Sequence, residues 1–150
     1  MAGFPFSELV ERLRAQTDAE LLAGDPASTT IQDRDVHRPG MGLMGYTTGF
    51  LPERVQVFGE SEIGYLGTLD EEGQRASVRR ILDLKVPGAF VARGLHVPPV
   101  LLDEASRDGI PLLRVPLGTE DLVDLLRDIL QDLFALRTNV HGTLVDVYGV

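Results

Sequence analysis

The 150-residue chain has no cysteine and no tryptophan, and Lys85 is the one lysine among its 14 basic residues. Without cysteine there can be neither disulfides nor thiolate metal sites, which fits a reducing compartment without requiring one. Basic residues are few against 23 acidic ones, leaving a net charge of −9. A nucleic-acid reader needs a basic face, and an anionic membrane rewards basic clusters, so the composition argues against both partners. No apolar run approaches the ~20 residues that cross a bilayer. The opening Met-Ala-Gly-Phe-Pro-Phe-Ser-Glu has neither the basic region nor the apolar core of a signal peptide. These absences together describe a soluble cytoplasmic protein. Several catalytic signatures are missing too: the H-E-x-x-H zinc motif, the G-x-S-x-G elbow and a complete G-x-x-x-x-G-K-[ST] phosphate loop.

Apolar residues make up 43% of the chain, enough for one ordinary core. Ser7 is placed to cap a first helix reaching about Gln16, with Leu9, Val10 and Leu13 as its apolar stripe. Leu21–Ala23 and Thr29–Ile31 read as short strands, and Val55–Phe58 as a longer one. Helices are expected over Ser61–Leu69 and Glu71–Leu84, the second capped by Asp70. Ala89–Ala92 and Leu112–Val115 are continuous apolar runs, the pattern of strands covered on both faces. Between them Pro98-Pro99 opens a helix that Gly109 closes, making a βαβ unit. Thr119 caps a last helix to about residue 136, whose apolar face (Leu122, Leu125, Leu126, Ile129, Leu130, Leu133, Phe134) is wider than the ~100° of an ordinary amphipathic helix. That width suggests packing on more than a small sheet, such as a following unit or another subunit. The alternation of strands and helices gives an α/β fold with a small, mainly parallel sheet flanked by helices.

Between Val36 and Pro52 lie Gly40, Gly42, Gly45 and Gly49. Gly40 to Gly45 formally matches G-x-G-x-x-G, but that fingerprint requires a strong strand before it and a helix after it. Arg38-Pro39 precede it and Tyr46-Thr47-Thr48-Gly49 follow, so the glycines read as a surface loop that uses positive φ. His37 and His96 stand in loops beside prolines and read as solvated or structural histidines. Arg38 with Gly40, and Arg93 with Gly94, could hold an anion or a partner, since backbone N–H groups beside an arginine make an anion seat. The competing reading is a turn whose arginine pairs with a surface carboxylate. The end of the chain, Arg137-Thr138-Asn139-Val140-His141-Gly142, reads as a turn running into a strand with Leu144, Val145, Val147 and Tyr148. Nothing after Val150 supplies that strand with a partner.

Three blocks resemble HPr kinase/phosphorylase: Arg38-Pro39-Gly40 with Gly45-Tyr46 and Pro52 to Gly59; Arg93-Gly94-Leu95 through Pro98-Pro99 to Gly109–Arg114; and Arg137 to Val150. They occur in family order and cover about residues 31–150. The resemblance implies an N-terminal α/β domain over 1–132, similar in fold to the substrate-binding N-terminal domain of Mur ligases. Residues 133–150 would then be a linker and the first strand of a phosphate-loop kinase domain that lies further on. It implies a bifunctional enzyme that phosphorylates a serine of the phosphocarrier HPr with ATP or pyrophosphate and Mg2+, and removes the phosphate by phosphorolysis. The same likeness implies a cytoplasmic homohexamer acting in control of bacterial carbon metabolism. His141 matches an active-site histidine of the family and would act only beside the missing phosphate loop. With no cofactor site of its own, the present chain is expected to be inactive. The alternatives are a stand-alone ligand-sensing or protein-interaction module, binding a small anionic ligand near residues 38–49 and 93–98, or an assembly domain using the broad face of the last helix.

Overall fold

The computed structural model of the chain describes residues 3–142, with side chains for 3–137. Seven strands and six helices follow one another among the described residues: β1 (Phe4–Pro5), α1 (Phe6–Arg14), β2 (Glu20–Ala23), β3 (Thr30–Ile31), β4 (Val36–His37), α2 (Gly40–Leu43), β5 (Val55–Phe58), α3 (Glu60–Gly67), α4 (Glu71–Leu82), β6 (Ala89–Val91), α5 (Pro99–Asp108), β7 (Leu112–Arg114) and α6 (Thr119–Gly142). The main sheet has the order β2-β7-β6-β5-β4. Its β4–β5, β5–β6 and β6–β7 pairings are parallel, and β2 joins the β7 edge antiparallel. The chain is thus α/β with a mixed sheet, parallel over four strands. β1 and β3 form a separate antiparallel ribbon, with Phe4 opposite Ile31.

The continuous apolar strands do what two-sided burial requires. In register, Val57, Phe90 and Leu113 stand side by side, as do Phe58 and Val91. The first set joins a core with Phe6, Leu9, Leu13, Leu126 and Leu130, from α1 and α6. The second joins Leu66, Ile81, Leu101 and Leu112, beneath α3, α4 and α5. The period-2 alternation of strand side chains sends each set to its own face, so the sheet is the middle layer of three.

The breadth of the α6 face has an internal explanation. Leu122, Leu126, Ile129, Leu130, Leu133 and Phe134 are all buried, and Leu125 packs partly buried against them. They are covered by α1, the sheet and the β1–β3 ribbon, where the Phe134 and Phe4 rings meet edge to face at 4.9 Å. No second subunit is needed to cover that face. α6 also runs further than expected. Where a turn was foreseen at Arg137–His141, the helix continues through Gly142, passing residues 132 and 133 without a break. The local chemistry agrees, since residues 136–141 contain neither proline nor glycine to stop it.

Two further local expectations change. Ser7 lies inside α1, and Pro5 holds the N-cap position without a side-chain cap; proline at a helix entry loses no hydrogen bond. β1 and β4 are strands of two residues, too short to leave any periodicity. By contrast, Asp70 caps α4, its Oδ1 accepting from the Gly73 N–H at 2.8 Å. Gly109 ends α5 at φ 72°, in the left-handed region that favours glycine. α4 and α5 are clamped by the buried Glu104, which accepts from Arg75 and, at 3.1 Å, from Arg79. Arg79 also reaches Asp108 at 2.9 Å.

Candidate functional site

Because β4 to β7 are parallel, their carboxyl ends open at one end of the sheet, where open α/β sheets place ligands. The turns there bring together the residues singled out in the sequence. Arg38 follows β4, Gly40 begins α2, and Arg93-Gly94 follow β6. The β5–α3 turn lies between them, and each arginine pairs with an acid in the first turn of α3. Arg38 makes a two-pronged contact with Glu62, Nε to Oε2 at 3.1 Å and Nη2 to Oε1 at 2.7 Å. Arg93 Nε lies 3.1 Å from Glu60 Oε2.

Glu62 is the pivot. Its carboxylate is 4% exposed, and it also accepts the Gly59 N–H at 2.8 Å, as an acid at the third helical position does. Gly59 itself is demanded by space, because its φ of −106° suits any residue. A Cβ there would meet Thr119 Oγ1 at 2.7 Å and Arg38 Nη2 at 2.8 Å. Gly59 thus lets the start of α6 close against the β5–α3 turn. Beside it opens a shallow cavity of about 320 Å3, lined by Glu60, Arg93 and Gly118 to Asp121. The backbone of the β6 turn is already engaged: the Arg93 N–H donates to Leu117 O at 2.7 Å and the Gly94 N–H to Val115 O at 3.0 Å. Arg93 and Gly94 both have positive φ, 60° and 61°, which suits the glycine but costs the arginine. Gly40 sits over the Glu62 carboxylate, a Cβ there falling 3.4 Å from Oε2. Glu62 carries only a weak mark in the sequence: it stands three residues after Gly59, where a capping box would have serine or threonine.

The glycine-rich segment is not a dinucleotide turn. α2 is four residues long, and Gly42 packs inside it under Phe50 and Ile81. Gly45 and Gly49 do use positive φ. His37 is half-buried edge to face against Phe50, with ring centroids 4.6 Å apart. Burial, aided by the nearby Arg54, holds its pKa below the usual histidine value; Glu53 opposes them. His96 is exposed. The side chain of His141 and the strand foreseen over residues 144–148 lie outside the described residues. Among the described residues no three histidines or carboxylates are grouped to hold a metal, and no helix is long and apolar enough to cross a membrane.

The fold and this end of the sheet define a small α/β domain. The sequence profile of the family "HPr Serine kinase N terminus" matches residues 6–130. The chain is 38% identical over 136 residues to the HPr kinase/phosphorylase of Geobacillus thermodenitrificans, covering 90% of this chain and 44% of that one. It is 37% identical over 145 residues to that of Enterococcus faecalis, covering 95% and 45%. The chain belongs to the HPr kinase N-terminal family and spans less than half the length of these relatives. Its fold is also similar, at a TM-score of 0.53 and 14% identity, to the regulatory region of Clostridium perfringens pyrophosphatase, whose CBS and DRTGG domains were solved with the activator diadenosine tetraphosphate. That likeness covers 82% of this chain and 46% of the other, and concerns fold alone.

Proposed function

We propose that the chain is the regulatory or assembly domain of a bifunctional HPr serine kinase/phosphorylase and is itself without catalytic activity. The observation that carries this is the N-terminal family match over residues 6–130, in relatives more than twice as long. In the whole enzyme a downstream phosphate loop with Mg2+ would bind ATP or pyrophosphate, stabilising charge on the transferred phosphoryl group. A serine of HPr would accept the phosphate, and inorganic phosphate would remove it by phosphorolysis. His141 would stand beside that loop, where a side chain titrating near neutrality can move a proton. The enzyme would be a cytoplasmic hexamer acting in control of carbon metabolism. Reading the coding frame past Val150 tests the assignment: a G-x-x-x-x-G-K-[ST] sequence within the next stretch supports it, and a stop codon directly after Val150 contradicts it.

The carboxyl-end crevice favours a second reading, a ligand-sensing module. Arg38 and Arg93 are pre-oriented there by Glu62 and Glu60 while their guanidinium groups remain about half exposed. Diadenosine tetraphosphate, the activator held by the structural relative, is a suitable probe. A concentration-dependent rise in melting temperature that Arg93→Ala abolishes would support sensing, and an unchanged melting curve would dismiss it for this ligand.

A further inference from the structure

We infer that the outward face of α2 is a docking surface for a short segment of another protein that presents apolar side chains with a carboxylate beside them. Six large hydrophobic residues are exposed among the described residues, and three of them are Met41, Met44 and Tyr46, at 62%, 60% and 57%. They lie close along the backbone: Met41 and Met44 are three residues apart at i, i+3, and the Tyr46 N–H donates to Met41 O at 2.9 Å. Isolated exposed apolar side chains need no explanation, but a cluster marks an interaction site.

This cluster is held rigidly. The buried Ser77 hydroxyl donates to Leu43 O at 2.6 Å, and Arg80 Nη1 donates to the same oxygen at 2.9 Å. Leu43 is fully buried, and Gly42 lets Phe50 and Ile81 close against the back of the helix. A four-residue helix fixed from behind, with methionines facing outward, offers a preorganised and adaptable contact. Methionine, tyrosine and arginine are residue types enriched in interface cores, and lysine and carboxylates are depleted there.

The rim decides the partner. Arg80 packs beside Gly45, is exposed, and has no carboxylate within ion-pair distance among the described residues. Its one backbone bond fixes the guanidinium and leaves further N–H groups open, so the complement needed is apolar with one negative charge. Each copy carries a net charge of −9, which opposes contact between two copies of this chain. A net charge of −9 disfavours an anionic bilayer. A different protein chain meets both conditions, and this inference does not depend on the kinase assignment.

The test is selection of a phage-displayed library of short random peptides on the immobilised chain. Enriched sequences should pair two or more apolar residues with an aspartate or glutamate. Their affinity for the chain should fall at least about tenfold with Met44→Asp and with Arg80→Glu, a loss of hot-spot size. Replacing the peptide's acid by lysine should restore binding to the Arg80→Glu variant, a gain that unfolding could not produce. The inference is overturned by failure to enrich any sequence, by peptides that bind Met44→Asp as well as the parent, or by enrichment without acids. It is equally overturned if sedimentation shows self-association that Met44→Asp abolishes. Binding through this face to phosphatidylcholine–phosphatidylglycerol vesicles, with none to peptides, would also overturn it.

Discussion

Gly59 and Gly64, five residues apart at the cap and in the middle of α3, illustrate two uses of one residue type. At Gly59 a methyl group would press on Thr119 and on an arginine tied to a buried carboxylate. Gly59→Ala should therefore destabilise the fold by about 1–3 kcal/mol, as overpacking does. At Gly64, inside α3, a Cβ would meet nothing within 4 Å. Gly64→Ala should stabilise by about 0.5–1 kcal/mol, through the chain entropy that glycine loses on folding. Urea unfolding of the two variants checks both signs together. Neither role is visible in the sequence, where the first glycine looks like a strand end and the second like a flaw in a helix. The distinction lies in whether another element approaches, which is a tertiary fact.

Titrating residues give a second test at this scale. His37 has a folded-state pKa below its ordinary 6.5, because it is partly buried and faces Arg54. The unfolded chain then binds more protons than the folded one as pH falls below about 6.5, so stability declines through that range and is regained above it. Glu104 and Asp35 act lower on the scale. Burial pushes both carboxyls up, but Arg75, Arg79 and Arg107 together outweigh it at Glu104, and Arg127, the Val36 N–H and Arg54 together outweigh it at Asp35, so each ends below its usual value. Their contribution is present above the ordinary values of 4.5 and 3.8 and is lost as pH falls through the folded ones. Stability measured against pH should fall in two stages. His37→Asn should flatten the first slope, and Glu104→Gln the second.

At the scale of elements, the parts with strong local signals were legible in the sequence. The runs at 55–58, 89–91 and 112–114 became the central strands because apolar side chains on both faces suit only a covered sheet. α4 and α5 could be read from Asp70 and Gly109, residues whose chemistry marks helix ends. Two-residue strands leave little pattern, so β1 and β4 were invisible, and of the ribbon only β3, within the β-branched run Thr29–Ile31, could be read. The wide face of α6 was also legible, but its partner was not, because α1 and the ribbon are far away in sequence. Leu126 now stands at the junction of those elements, fully buried. Leu126→Ala should cost about 2–5 kcal/mol in equilibrium unfolding, the range for a leucine removed from a packed core. A loss well under 1 kcal/mol would mean that α6 is not part of this core. The candidate site was half legible: the arginines stood out beside their glycines, whereas Glu60 and Glu62, which orient them, looked like ordinary acids at the start of a helix.

For the whole molecule, charge, topology and ancestry converge. A three-layer α/β domain with a net charge of −9 belongs to the HPr kinase N-terminal family and presents one end of its sheet, with two pre-oriented arginines and the α2 face, to solvent. The residues that would perform phosphoryl transfer are proposed to lie in the half of the enzyme that this chain does not contain. The most direct measurement is to incubate the purified 150-residue chain with HPr and Mg2+, with ATP in one sample and pyrophosphate in another, and to examine HPr by mass spectrometry. The account predicts that HPr gains no phosphoserine in either sample. Phosphoserine formed in proportion to the added chain would contradict it.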